Sequence, residues 1–226
     1  AATTCFATRS TIVGGVIGYG GANAGGIHGS GTTPINGFTG VGYGNAYNGS
    51  SGGDYNTLVG YGNAWTGING GGNTIVGAHN ANQTAITGTN NNIIGAYCVN
   101  NSNTVLSGTQ NCLFGYSIAK TGVNGDYNAY FGSYVKYYAG GSSGTSADTG
   151  GSNVMIGYAA GLYNYNASKN VYIGAYSGYN NSAESGGNNI AIGEYAGWQN
   201  HYINGTSNKI VIGNNSHTGA YIPVSW

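Results

Sequence analysis

"NNIAIGEYAGWQN" (residues 188–200) joins a short apolar run to a glycine and then to small and aromatic residues. "SKNVYIGAYSGYNN" (168–181) and "GSNVMIGYAAGLYN" (151–164) write the same pattern upstream. Aligning on the glycine that closes each apolar run extends the series to Gly14, Gly42, Gly60, Gly77, Gly95, Gly115, Gly132, Gly157, Gly174, Gly193 and Gly213. "NTVLS" reads as a further copy, with Ser107 in place of the glycine. Several intervals fall between 17 and 20 residues, and two longer ones, 28 and 25, carry inserted loops. Each run is too short for a helix and rich in β-branched residues, so it reads as a strand. The glycine suits a corner with positive φ or a close backbone approach. An Asn four residues before most of these glycines suits a turn or a stack of side-chain amides. Short strands at this period predict a parallel β-solenoid, in which only stacked coils bury an apolar face.

Composition supports a repeat architecture. The 226 residues include 46 Gly and 21 Tyr, with 4% charged residues and zero net charge. Disorder from low hydrophobicity normally comes with high net charge, which is absent. Five Lys and Arg cannot form the basic track that nucleic acid requires, so no nucleic-acid partner is expected. No apolar run approaches a membrane span, and Ala1–Ser10 shows no signal-peptide pattern, so no membrane insertion is expected. Cys5, Cys98 and Cys112 read as small buried thiols, with a Cys98–Cys112 bridge between neighbouring coils as the alternative.

Neighbours on a strand face opposite sides. The residue before the glycine is large and apolar (Val59, Val76, Ile94, Phe114, Phe131, Ile156, Ile173, Ile192, Ile212), and the one before that is usually apolar as well. Both faces of the strand are therefore apolar. One face can line the solenoid, and the other calls for a partner, most simply another subunit.

"NVMIGYAAG", "NVYIGAYSG" and "NNIAIGEYAG" resemble the head repeats of trimeric autotransporter adhesins and similar repeats of bacteriophage tail fibres. The resemblance covers about residues 54–217. It implies an all-β, left-handed parallel β-roll in an intertwined or side-by-side homotrimer, without enzyme activity. The coils here are longer, more variable and richer in Tyr than in the adhesin repeat, which favours a phage fibre. "SNKIVIGNNSHTGAYI" (207–222) resembles the segment before the self-cleaving chaperone of many phage fibres. The expected organisation is irregular Gly-rich coils over 1–53, solenoid repeats over 54–217 and a tail over 218–226.

Little in the sequence points to catalysis. Asp54 and Asp126 share the setting "GDYN", which suggests a structural turn, while Asp148, Glu184 and Glu194 are solitary. His28, His79, His201 and His217 have no metal-ligand spacing, so neither metal nor cofactor is expected. On a three-fold axis one His would become three, and His217, near the C-terminal end, is the best-placed candidate for such a metal site. "GYGGANAGG" (18–26) lacks the Lys of a phosphate loop.

The aromatic residues allow two readings. Rings that follow the strands can stack between coils, or can form adaptable binding surfaces with Ser, Gly and Asn. Tyr137, Tyr138, Trp198, His201 and Tyr202 are the expected receptor-binding residues, placed in an insert and in the C-terminal coils. The leading functional expectation is a virion tail fibre that binds a bacterial surface glycan or protein. An extracellular filament or cell-surface adhesin is the alternative, and a carbohydrate-active solenoid enzyme stands third.

Overall fold

The computed structural model describes residues 7–8, 11–13, 35–46, 53–100, 105–138, 149–164, 166–179, 186–198 and 206–214. They form a parallel β-solenoid without a helix. The strands are β1 (Ala7–Thr8), β2 (Thr11–Val13), β3 (Ile35–Asn36), β4 (Thr39–Tyr43), β5 (Thr57–Tyr61), β6 (Thr74–Ala78), β7 (Ala85–Ile86) and β8 (Asn92–Ala96). They continue as β9 (Val105–Leu106), β10 (Cys112–Tyr116), β11 (Ala129–Ser133), β12 (Val154–Tyr158), β13 (Val171–Ile173), β14 (Ile190–Ile192) and β15 (Ile210–Ile212). One sheet of eleven strands runs from β2 through β4, β5, β6, β8 and β10 to β15. It therefore extends N-terminal to residue 54.

Register is constant along the sheet. Gly42, Gly60, Gly77, Gly95, Gly115, Gly132 and Gly157 stand opposite one another in successive strands. Gly174, Gly193 and Gly213 continue the column through N–H bonds to the preceding coil. These glycines have φ between +82° and +145°, where a side chain is strained. A Cβ on Gly115 would also fall on the carbonyl oxygen of Gly132. Glycine at the end of each apolar run thus sets how closely two coils can stack.

Alternation divides the strand residues between interior and exterior. Leu58, Ile75, Ile93, Leu113, Tyr130, Met155, Tyr172 and Ala191 are fully or almost fully buried inside the coils. Ile68, Ile86, Leu106 and Val123 line the opposite wall and are also buried. That wall corrects one reading of the repeat. Val105–Leu106 pairs with Ala85–Ile86 in a separate two-stranded sheet, so "NTVLS" is not a rung of the main sheet. Its apolar pair resembles the rung motif, but it lies about half a coil beyond Gly95 and lacks the closing glycine.

Two polar columns cross the interior. Asn56, Asn73, Asn91, Asn111, Asn128, Asn153, Asn170 and Asn189 are buried one above another. Each of the first seven accepts the backbone N–H of the next at 2.9–3.0 Å, and Asn189 accepts that of Lys209 at 3.0 Å. Their amides also donate to carbonyls at the facing corners, as from Asn91 to Gly108 at 2.9 Å. The expected amide stack is therefore present as a continuous ladder. A second, shorter ladder of Asn45, Asn63 and Asn80 ends where Cys98 takes the next place. The Cys98 thiol lies 3.5 Å from the Gly115 carbonyl oxygen, and burial pushes its pKa up to about 11. Cys98 and Cys112 are free thiols, and Cys5 lies outside the described residues.

The outer face of the sheet is apolar as well. Val41, Val59, Val76, Ile94, Phe114, Phe131, Ile156, Ile173, Ile192 and Ile212 form one column, and from Phe114 to Ile212 it reaches 51% and 61% exposure at those two residues. Val154, Val171, Ile190 and Ile210 extend it sideways over the last four coils. Eleven rungs at ~4.8 Å make this face roughly 48 Å long.

Candidate functional site

Beside the apolar column runs a ladder of rings. Tyr43, Tyr61, His79, Tyr97, Tyr116, Tyr134, Tyr158, Tyr176 and Tyr195 contact one another in that order, with centroids 5.0–5.8 Å apart. The rings come from two sequence positions. In four coils the aromatic follows the glycine directly and a small residue comes next (Tyr43–Gly44, Tyr61–Gly62, Tyr116–Ser117, Tyr158–Ala159). In the other five the order reverses (Ala78–His79, Ala96–Tyr97, Ser133–Tyr134, Ala175–Tyr176, Glu194–Tyr195). The second position has positive φ in every one of these coils, from 51° at Ser117 to 66° at Gly44. An extended residue and the left-handed residue after it can thus deliver a ring to the same column, and each coil supplies one ring.

A second row branches from Tyr134. It passes through Tyr137 at 5.1 Å, Tyr138 at 4.5 Å, Tyr163 at 5.5 Å and Tyr179 at 5.4 Å. Trp198 closes the circuit, 6.2 Å from Tyr179 and 4.8 Å from Tyr195. The structure therefore brings three of the expected receptor-binding residues, Tyr137, Tyr138 and Trp198, into one aromatic network. His201 and Tyr202 lie outside the described residues, as do Tyr165, His28 and His217. The hydroxyls of Tyr134, Tyr176 and Tyr179 are held above the usual tyrosine range, first by desolvation and then by neighbouring tyrosines. These rings therefore present neutral O–H groups at neutral pH.

Where the two rows meet, an open groove of about 360 Å³ lies against Tyr97, Tyr116 and Tyr137. Gln83, Asn100, Ser117 and Lys120 complete its lining. The Lys120 Nζ donates to the Tyr137 hydroxyl at 3.0 Å and sits 5.0 Å from the centre of that ring. The hydrogen bond to Tyr137 raises the Lys120 pKa. Sequence reading passed over this group. Its one signal is that Lys120 is the first cation after Arg9.

Asp54 and Asp126 have structural partners. The Asp54 carboxylate accepts the Asn36 N–H at 2.8 Å, and that of Asp126 accepts the Thr109 N–H at 2.7 Å. Both bonds reach back to the preceding coil. Four rungs, or roughly 19 Å, separate the two carboxylates, too far to flank one glycosidic bond. Asp148 and Glu184 lie outside the described residues. Among the described residues no three His, Cys, Asp or Glu side chains group as metal ligands. Comparison with protein-family models, curated proteins and solved structures returns no match.

Proposed function

We propose that this chain is a structural and adhesive fibre segment, assembled as a homotrimer through the outer face of its main sheet. The reading that suits the sequence best is a bacteriophage tail fibre carried on the virion, with its aromatic rows turned toward a bacterial surface glycan or protein. The supporting observation is the outward-facing apolar column from Val41 to Ile212, half-buried at Val41, Val59, Val76 and Ile173 and exposed at its other members. One column over ten rungs and a second over the last four, each ~7 Å wide, amount to roughly 450 Å². An apolar patch of that size is often a functional surface, and with polar residues at its rim it approaches the ~800 Å² per partner typical of a stable interface.

The period of the face supports a second copy of this chain as its occupant. A face ribbed every ~4.8 Å packs rib against rib only with a surface of the same period, and another copy of this chain has that period. Three-fold symmetry places identical residues at one height and keeps all chains pointing the same way. A fibre needs that polarity if one end attaches and the other surfaces bind. No step in this reading requires a cofactor, a metal or catalysis.

The test is mass in solution by light scattering. Three times 22.8 kDa is expected, and Ile156→Asp should dissociate the assembly by burying a charge. A stable monomer would refute the reading. Masses rising without limit would favour the extracellular filament instead.

A further inference from the structure

The groove beside the ring ladder brings together groups of three kinds. Tyr97, Tyr116 and Tyr137 stand along a lining that is mostly polar, to which Gln83, Asn100 and Ser117 add amides and a hydroxyl. Lys120 adds a single ammonium to a chain with five cations in all, and Lys136, the next one along, is buried. We propose that this groove binds an acidic saccharide, with the Lys120 ammonium on the sugar's carboxylate and the tyrosine hydroxyls and side-chain amides on its hydroxyls. The assignment rests on the adhesive reading above and deepens it by naming the ligand class.

Three features favour a sugar. The volume, about 360 Å³, lies at the small end of ligand pockets and has room for a mono- or disaccharide. The lining is mostly polar, and its amides and hydroxyls are the kinds of group that bond sugar hydroxyls. Lys120 uses one of its three N–H donors on Tyr137, which fixes the ammonium at the groove edge and leaves two donors for an anion.

The same surface suits an extended peptide poorly. A peptide added as a strand needs unpaired backbone groups, and those beside the groove are engaged between coils. The N–H groups of Tyr97, Ser117 and Tyr134 donate to Ala78, Ala96 and Tyr116. The raised pKa of Lys120 keeps the ammonium charged throughout the neutral range.

The experiment is saturation-transfer NMR and calorimetric titration of the whole chain with sodium glucuronate, galacturonate, N-acetylneuraminate and glucose 6-phosphate. Neutral glucose and galactose are the counterparts, and N-acetylaspartate is the non-sugar carboxylate. At least one carboxylate sugar should bind saturably with Kd on the order of 1 mM, well ahead of its neutral counterpart. Lys120→Gln should weaken that binding about tenfold and abolish the preference. Tyr116→Leu should weaken charged and neutral sugars together. Melting curves check that both variants remain folded. The proposal is overturned if no carboxylate sugar saturates by ~10 mM, or if wild type and Lys120→Gln bind alike. Preference for glucose 6-phosphate would replace the carboxylate by a phosphate and overturn that part. Equal binding of N-acetylaspartate would overturn the saccharide. Adsorption to a panel of bacterial strains separates this result from the adhesive reading. If wild type adsorbs and Lys120→Gln adsorbs equally, the groove fails and adhesion stands. Sugar binding without adsorption to any strain leaves the site standing and removes the adhesive reading.

Discussion

Replacing Asn91 by alanine tests what holds the coils in register. The Asn91 side chain makes four hydrogen bonds inside the solenoid. Its Oδ1 accepts the Asn111 N–H at 2.9 Å and the Asn111 amide at 3.1 Å. Its Nδ2 donates to Asn73 Oδ1 at 3.1 Å and to the Gly108 carbonyl at 2.9 Å. Asn73 Oδ1 would keep the Asn91 backbone N–H at 2.9 Å. Three buried groups would therefore lose a partner, at ~1–3 kcal/mol each before relaxation. Water can enter the small void and recover part of this, so the expected loss is about 3–5 kcal/mol. Thermal unfolding followed by circular dichroism should show it, and hydrogen exchange should show the Asn111 N–H losing protection. Thr87→Ala, at an exposed site, should stay within about 0.5 kcal/mol of wild type. A loss below ~1 kcal/mol in Asn91→Ala, with the Asn111 N–H still protected, would refute the ladder as a stabilising element. Asn91→Asp adds a pH arm. A buried carboxylate facing the Asn73 and Gly108 oxygens has its pKa raised, so its penalty should be smallest below ~4 and should grow as pH rises.

Gly115→Ala should cost at least ~3 kcal/mol and disorder the β10–β11 junction, because the added Cβ meets the Gly132 carbonyl; wild-type melting would refute this. Gln110 is exposed with φ of 55°, so Gln110→Gly should stabilise by up to ~1 kcal/mol, and a lower melting temperature would contradict that. Mass-mapped alkylation at pH 8 should leave Cys98 unmodified in the folded chain and modify it once unfolded. The thiol's pKa is raised from 9.0 to about 11, so its contribution to stability is complete below pH 9.0 and is lost as pH rises through about 11.

The main sheet was legible because its constraint falls on single residues. Only glycine fits where the coils approach at the corner, and only a side chain with both donor and acceptor continues the Asn column, so both left a mark at fixed spacing. The second wall left a weaker mark. It needs one buried aliphatic residue per coil, and that requirement does not distinguish Leu106 on the far wall from Leu113 on the main strand. The ring ladder was legible only in part, because it tolerates an exchange between an extended position and the left-handed one after it. Tyr116 and Tyr97 thus share a column while differing in their distance from the repeat glycine. The groove had no repeating signature, since Lys120 and Asn100 each occur in a single coil.

The amide ladder gives the molecule an electrical direction. Every Oδ1 from Asn56 to Asn189 faces the following coil and accepts from it. The side-chain dipoles therefore add along the axis, whereas the backbone dipoles of a parallel solenoid run around it. Eight amides at ~3.5 D set an upper bound of roughly 28 D, that of a two-turn α-helix, and the amide N–H groups that donate to the same following coil reduce it. Each aligned amide polarises the next, which strengthens the chain of bonds. A rod with five cations, five anions and no net charge is then still polar from end to end. Copies packed side by side in one direction would add their moments, whereas copies packed in opposite directions would cancel them.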